Sequence, residues 1–168
     1  MLATLAPPVQ SWKSHEYQYG QASMIRIAGP ADLAALSALE DASFVCDGVD
    51  RRAMAGFLRS PAAVVLMDEA DGRLRGHLIL RFNARHRIAR VYSIAVAQAA
   101  KGQGVGRALV AAAETAAQAR GRDRVSLEIS VDNVASQALF RACGYAVFGR
   151  YEDYYEDGGA ALRLLKHL

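Results

Sequence analysis

Three glycines alternate at positions 102, 104 and 106, between the apolar run Ile94-Ala95-Val96 and an alanine-rich stretch that begins at Val105. A strand that enters a helix through such a loop is built to hold an anion. Glycine lets the backbone approach closely, and the free N–H groups at a helix start carry partial positive charge. A bare strand-to-helix connection needs only one glycine, so three in alternation point to a bound phosphate. The spacing excludes two common phosphate binders. Counting G-x-G-x-x-G from Gly102 ends on Arg107, counting from Gly104 ends on Leu109, and no Gly-Lys-Ser/Thr ending follows.

A strand carboxylate is the second candidate. In the run Val125 to Ser130, alternation puts Val125, Leu127 and Ile129 on one face and Ser126, Glu128 and Ser130 on the other. Glu128 then serves either as a proton acceptor or as an ordinary solvated strand residue. The segment from Tyr151 to Gly158 carries four carboxylates, Glu152, Asp153, Glu156 and Asp157, beside Tyr154 and Tyr155. Such a loop attracts a cationic amine or is simply a solvated acidic turn. The four histidines, His15, His77, His86 and His167, have no metal-ligand spacing, so no metal is expected. Cys46 and Cys143 form no CxxC pair.

The elements that carry these residues follow from periodicity and breakers. A first strand around Met24–Ile27 is stopped by Gly29-Pro30, and Leu33, Leu36, Leu39 and Phe44 then recur at helical spacing. A second helix is expected over Asp50 to Arg59. Strands follow at 62–67, 74–82 and 88–97, the first two joined by an Asp71-Gly72 turn. Val105 to Arg120 reads as a helix ended by Gly121, Val125 to Ser130 as a strand, and Asn133 to Cys143 as a helix ended by Gly144. Tyr145 to Tyr151 and Ala160 to Lys166 complete the sheet. Hairpins followed by β-α-β units require a mixed α/β (α+β) domain with both antiparallel and parallel pairing. Residues 1–23 show no period and read as a loosely ordered arm ahead of a domain over 24–168.

Composition narrows the partners. At 168 residues, 52% apolar and 22% charged, the chain has the make-up of one soluble domain. A net charge of +3 comes without a basic stripe, so no nucleic-acid partner is expected. Arg81, Arg85, His86, Arg87 and Arg90 read as the solvated tip of a hairpin. No apolar run reaches membrane length and the first ten residues lack a signal-peptide pattern, so the expected location is cytoplasmic, with no membrane partner. Nothing in the chain specifies an oligomeric state.

Lys101-Gly102-Gln103-Gly104-Val105-Gly106 resembles the Arg/Gln-x-x-Gly-x-Gly/Ala signature of the GNAT N-acetyltransferase superfamily, with Lys101 in place of the usual Arg or Gln. The likeness extends through Ile94-Ala95-Val96, Leu127-Glu128-Ile129, Asp132-Asn133, Ala138 to Tyr145 and Tyr154-Tyr155, and is most like the ribosomal-protein-alanine N-acetyltransferase branch. Residues 24–90 fit only in their succession of elements. The resemblance implies a central mixed sheet of six to seven strands flanked by about four helices, and acetyl-CoA as the acetyl donor. It assigns the cofactor to the backbone of Ile94, Ala95 and Val96, to the loop residues Lys101, Gly102, Gln103, Gly104, Val105, Gly106 and Arg107, and to Asn133 and Phe140. Asn133 has a competing role as a helix N-cap, which Asp132 is also able to fill.

The same resemblance makes Glu128 the proton acceptor and Tyr155 and Tyr154 acceptor contacts. It implies acetyl transfer to a primary amine, the N-terminal α-amine of a protein or peptide, by direct attack in a ternary complex. A small-molecule amine acceptor is the alternative, as is an acyl-CoA-binding regulatory module without turnover. One departure stands out. The branch places a tyrosine as acid twelve residues after the glutamate, where this chain has Phe140. A phenyl ring donates no proton, so the thiolate leaves unaided or Tyr145, Tyr154, Tyr155 or water supplies the proton.

Overall fold

A computed structural model describes residues 17–18, 23–45 and 47–168. Most of the arm expected over residues 1–23, and Cys46, lie outside the described residues. Eight strands form one sheet: β1 (Tyr17–Gln18), β2 (Ser23–Ile27), β3 (Ala63–Ala70), β4 (Arg73–Phe82), β5 (Ile88–Val96), β6 (Arg124–Ser130), β7 (Ala146–Tyr151) and β8 (Ala161–His167). Four helices flank it: α1 (Leu33–Ser43), α2 (Arg51–Arg59), α3 (Val105–Ala119) and α4 (Val134–Ala142). The mixed sheet expected from sequence is present. Seven of its strands have five residues or more, and the two-residue β1 adds an edge in a stretch where no strand was predicted.

The sheet order is β1-β2-β3-β4-β5-β6-β8-β7. Only β5 and β6 run parallel, because α3 carries the chain back across the sheet between them. The β3–β4 turn uses the predicted Asp71-Gly72 pair, both at positive φ (52° and 70°), as a tight hairpin requires.

Two apolar layers cover the sheet. On one face Leu78, Leu80, Val91, Val125, Leu127 and Ile129 pack with Leu109 and Val110 of α3 and Phe140 of α4. On the other, Val65, Met67 and Ile79 pack with Leu36 of α1 and Met54 of α2. Leu78-Ile79-Leu80 therefore feeds both layers in turn, which explains an unbroken apolar run in a strand. The α1–α2 layer draws nothing from β6, β7 or β8. Ser126, Glu128 and Ser130 face that side, so Glu128 stands where the helical cover ends.

The sheet also splits. Between β4 and β5 the register slips at Ile79/Leu80, where Ser93 and Val91 take consecutive partners and Tyr92 is left over. A bulge of this kind bends its strand. Parallel pairing of β5 with β6 stops at Arg90↔Ser126, although β5 continues to Val96 and β6 to Ser130. Beyond that point the two strands present unpaired edges to a gap.

Candidate active site

Two adjoining cavities occupy the gap. The larger, about 590 Å³, lies between the Ile94–Val96 edge, the glycine loop and the start of α3, with Leu39 and Phe44 at the end of α1. The smaller, about 180 Å³, lies between Val91–Ile94 and Leu127–Ser130 and also reaches Asp47, Phe140 and Tyr155. Phe44, Ile94, Asn133 and Ser136 wall both, so the two adjoin.

In the loop the glycines do different jobs. Gly102 (φ 76°) and Gly104 (φ 81°) adopt left-handed backbone, and Gly104 is the N-cap of α3. Gly106 is needed for space instead: a Cβ there meets Leu139 Cδ2 of α4 at 3.0 Å. Lys101, Gly102, Gly104, Val105, Gly106 and Arg107 all line the larger cavity. Gln103 does not; its amide donates to the Ala99 carbonyl at 2.8 Å. The orphan N–H groups that open a 15-residue helix, two flanking cations and an unpaired strand edge fit a pyrophosphate followed by an amide-bearing arm. Asn133 is the N-cap of α4, accepting from the Ser136 N–H at 3.0 Å, and walls both cavities as well. Asp132 is not the cap.

Glu128 lines the smaller cavity with 12% of its side chain exposed, and its Oε2 lies 2.7 Å from Arg90 Nε. Arg90 also donates to Tyr154 Oη at 2.7 Å. Tyr154 stacks on Tyr151 at 5.6 Å and meets Tyr155 edge-on at 5.0 Å, but it walls neither cavity. Tyr155 does wall the smaller one. Burial, with the negative groups Asp47 and Glu128 nearby, pushes its phenol up, so it keeps its proton.

Phe140 is fully buried and packs edge-on against Tyr145 at 5.1 Å. It belongs to the wall of the smaller cavity, not to that of the glycine loop. Tyr145 is in neither wall, and burial pushes its phenol far up. In the acidic loop, Glu152 pairs with Arg150 at 2.6 Å and Asp157 accepts from the Gly159 N–H at 2.9 Å, so two of its four carboxylates are engaged by the residues that flank the loop.

Sequence reasoning missed a buried hub. Glu40, in the last turn of α1, is fully buried. Its Oε1 accepts from Ser93 Oγ at 2.6 Å and lies 3.1 Å from His77 Nε2; its Oε2 accepts from the Val49 N–H at 2.9 Å. Burial disfavours its charge, but the contacts with His77, Ser93 and Val49 outweigh that and hold the carboxyl below its usual range. Glu40 thus ties the wall segment bearing Phe44 and Asp47 to β5. The available signal was a glutamate four residues after Leu36, on the inward face of an apolar helix. Among the described residues, no group of three His, Cys, Asp or Glu is placed to hold a metal, and no helix is long and apolar enough to cross a membrane.

A split mixed sheet thus carries a helix start with two flanking cations on one side of its gap and a carboxylate on the other. Residues 33–145 match the model of the Acetyltransferase (GNAT) family, and the chain belongs to that family. It is 36% identical over 96 residues to a mycothiol acetyltransferase of Clavibacter sepedonicus, a match spanning 57% of this chain and 30% of that relative. It is 30% identical over 102 residues to a putative ribosomal protein bS18-alanine N-acetyltransferase of Bacillus subtilis, spanning 61% of this chain and 66% of the other. The chain therefore covers less than a third of the first relative's length. Among solved structures, a ribosomal-protein-alanine N-acetyltransferase from Brucella melitensis superposes with a TM-score of 0.74 at 28% identity, covering 86% of this chain and 99% of that one.

Proposed function

We propose that this acetyltransferase moves an acetyl group from acetyl-CoA to a primary amine, the N-terminal α-amine of a protein or peptide. The observation that carries the reading is a carboxylate, Glu128, and a protonated phenol, Tyr155, in one cavity that shares four wall residues with the glycine-loop cavity. Bound acetyl-CoA supplies an acetyl thioester, a carbonyl activated toward amines. The N-terminal amides of α3, with Lys101 and Arg107, hold its phosphates, and the open edge at Ile94–Val96 pairs with its arm.

An α-amine has a pKa of about 7.7–8.0 and is mostly protonated at neutral pH. Glu128 takes a proton from it, and Asp47 across the cavity favours entry of the cation. Tyr155 holds the proton that the departing sulfur needs, taking the role that Phe140 leaves open. The amine attacks the thioester carbonyl directly, in a ternary complex. The second reading, a small-molecule amine, is favoured by the modest volume of that cavity, about 180 Å³.

The test is an acceptor panel of short peptides and free amines assayed with the wild type and Glu128→Gln, with acetyl-CoA binding measured by calorimetry. Expected is peptide acetylation that falls about 10²–10⁴-fold in the variant while acetyl-CoA still binds. Acetylation of free amines alone replaces the peptide reading with the small-molecule one. Cofactor binding with no acetylated product leaves a binding module.

A further inference from the structure

On the uncovered half of the sheet, Arg163 of β8 is the register partner of Glu128. Side chains directly opposite in an antiparallel pair share a face with Cβ atoms about 4.5–5.5 Å apart, and opposite charges there normally pair. These two do not. Glu128 turns to Arg90 at 2.7 Å. The Arg163 guanidinium instead lies between two rings, its central carbon 4.5 Å from the centre of Phe148 and 4.4 Å from that of Tyr151. Its Nε is buried without a hydrogen-bond partner, and among the described residues Arg163 has no carboxylate partner. The rings occupy the faces of the guanidinium and leave its edge donors free, which is how arginine presents a fork to a carboxylate.

Charge balance along this face points the same way. Arg81 of β4 is the register partner of Arg90, lies over Phe57 and Tyr92 at 5.8 and 5.4 Å, and also has no carboxylate partner among the described residues. Arg81, Arg90, Glu128 and Arg163 thus follow one another across four adjacent strands, β4, β5, β6 and β8. The row holds three cations and one anion, the proposed base Glu128, which pairs with Arg90 alone among them.

We propose that Arg163, framed by Phe148 and Tyr151, is a subsite for a carboxylate carried by the acceptor close to its reacting amine. The proposal rests on the acetyltransferase reading above and narrows its acceptor class. Arg163 walls neither cavity, but as the register partner of Glu128 it stands on the strand next to the smaller one, within a few atoms of an amine placed at Glu128. Two sources share this chemistry: an acidic residue just after a peptide N-terminus, and the carboxylate of a free amino acid.

The experiment compares matched pairs that differ only in that charge. Ala-Asp and Ala-Asn peptides with amidated C-termini test the peptide source, alanine against alaninamide tests the amino acid, and Ala-Lys reports the opposite charge. Expected is a kcat/KM about tenfold higher for the carboxylate member of at least one pair, with that ratio falling toward one in Arg163→Gln and only partly restored in Arg163→Lys. Equal rates for both members of both pairs in the wild type, or a preference for Ala-Lys, overturn the subsite. So does a ratio unchanged in Arg163→Gln.

Binding separates this from the underlying reading. Direct titration of the same pairs by NMR, with coenzyme A present, needs no turnover. If nothing is acetylated, the acetyltransferase reading fails. The subsite still stands if the carboxylate member binds about tenfold more tightly and loses that margin in Arg163→Gln, and it falls if the members bind alike.

Discussion

Arg90 Nε lies 2.7 Å from Glu128 Oε2, and the same guanidinium donates to Tyr154 Oη at 2.7 Å. One side chain from β5 therefore holds the proposed base on β6 and the tyrosine loop that follows β7. Burial works against the Arg90 charge, but Glu128 and Tyr154 more than restore it, and its pKa is raised.

Replacing that link loosens the acceptor side and spares the glycine loop, which Arg90 does not touch. Arg90→Gln is expected to raise the acceptor KM about tenfold, the scale of a lost charge-assisted hydrogen bond, and to move the acetyl-CoA KM less than twofold. Steady-state kinetics with each substrate varied in turn checks this. Equal rises in both constants count against the link.

Tyr155 and Phe140 line the same small cavity, and one variant is able to compensate for the other. Tyr155→Phe is expected to lower kcat about 100-fold, the low end for a lost general acid. Phe140→Tyr in that background restores part of it, by putting a phenol back on the cavity wall. A Tyr155→Phe enzyme with unchanged kcat shows that the thiolate leaves unaided.

Gly104 and Gly106 fail for different reasons. Gly104→Ala places a side chain at φ 81°, a strain of about 1–2 kcal/mol, and distorts the amides at the start of α3. Gly106→Ala crowds Leu139 at 3.0 Å and pushes on α4. The first is expected to weaken acetyl-CoA binding at least tenfold, with a loss of stability no larger than that strain. The second is expected to lower the melting temperature as well. Calorimetric titration and thermal melts separate them.

The buried hub predicts an acid-sensitive fold. The Glu40 carboxyl is held below the ordinary value of 4.5, so its contribution to stability is complete above that value and is lost as pH falls through the folded one. Asp32, held below 3.8 by Arg26, acts in the same direction at lower pH. Asp68, raised above 3.8 by burial, acts in the opposite one. Glu40→Gln is expected to lower stability at neutral pH by roughly 1–3 kcal/mol and to flatten the loss on the acid side of the ordinary glutamate range. Urea melts across that range read both effects.

Much of the fold was legible because its signals are local. Helix starts and stops at Asp50, Gly121 and Gly144, the Asp71-Gly72 turn and the alternation around Glu128 each depend on a few consecutive residues. The helices began and ended within about two residues of where those signals put them. The glycine loop was read the same way, and its residues do line one cavity, apart from Gln103.

What the chain alone does not reveal is which distant side chains meet. Glu40 and Ser93 are 53 positions apart and Arg90 and Tyr154 are 64 apart. Nothing in their local sequence marks them as partners. Asp47 lines the smaller cavity on a segment that Glu40 anchors through the Val49 N–H. Local backbone preference determined the elements and the anion-binding loop. Strand register, the Tyr92 bulge and the splitting of β5 from β6 decided the cavity, the cation paired with Glu128 and the cation left free opposite it. Those depend on hydrogen bonding between strands far apart in sequence, and a shift of one residue in any ladder turns each side chain to the other face.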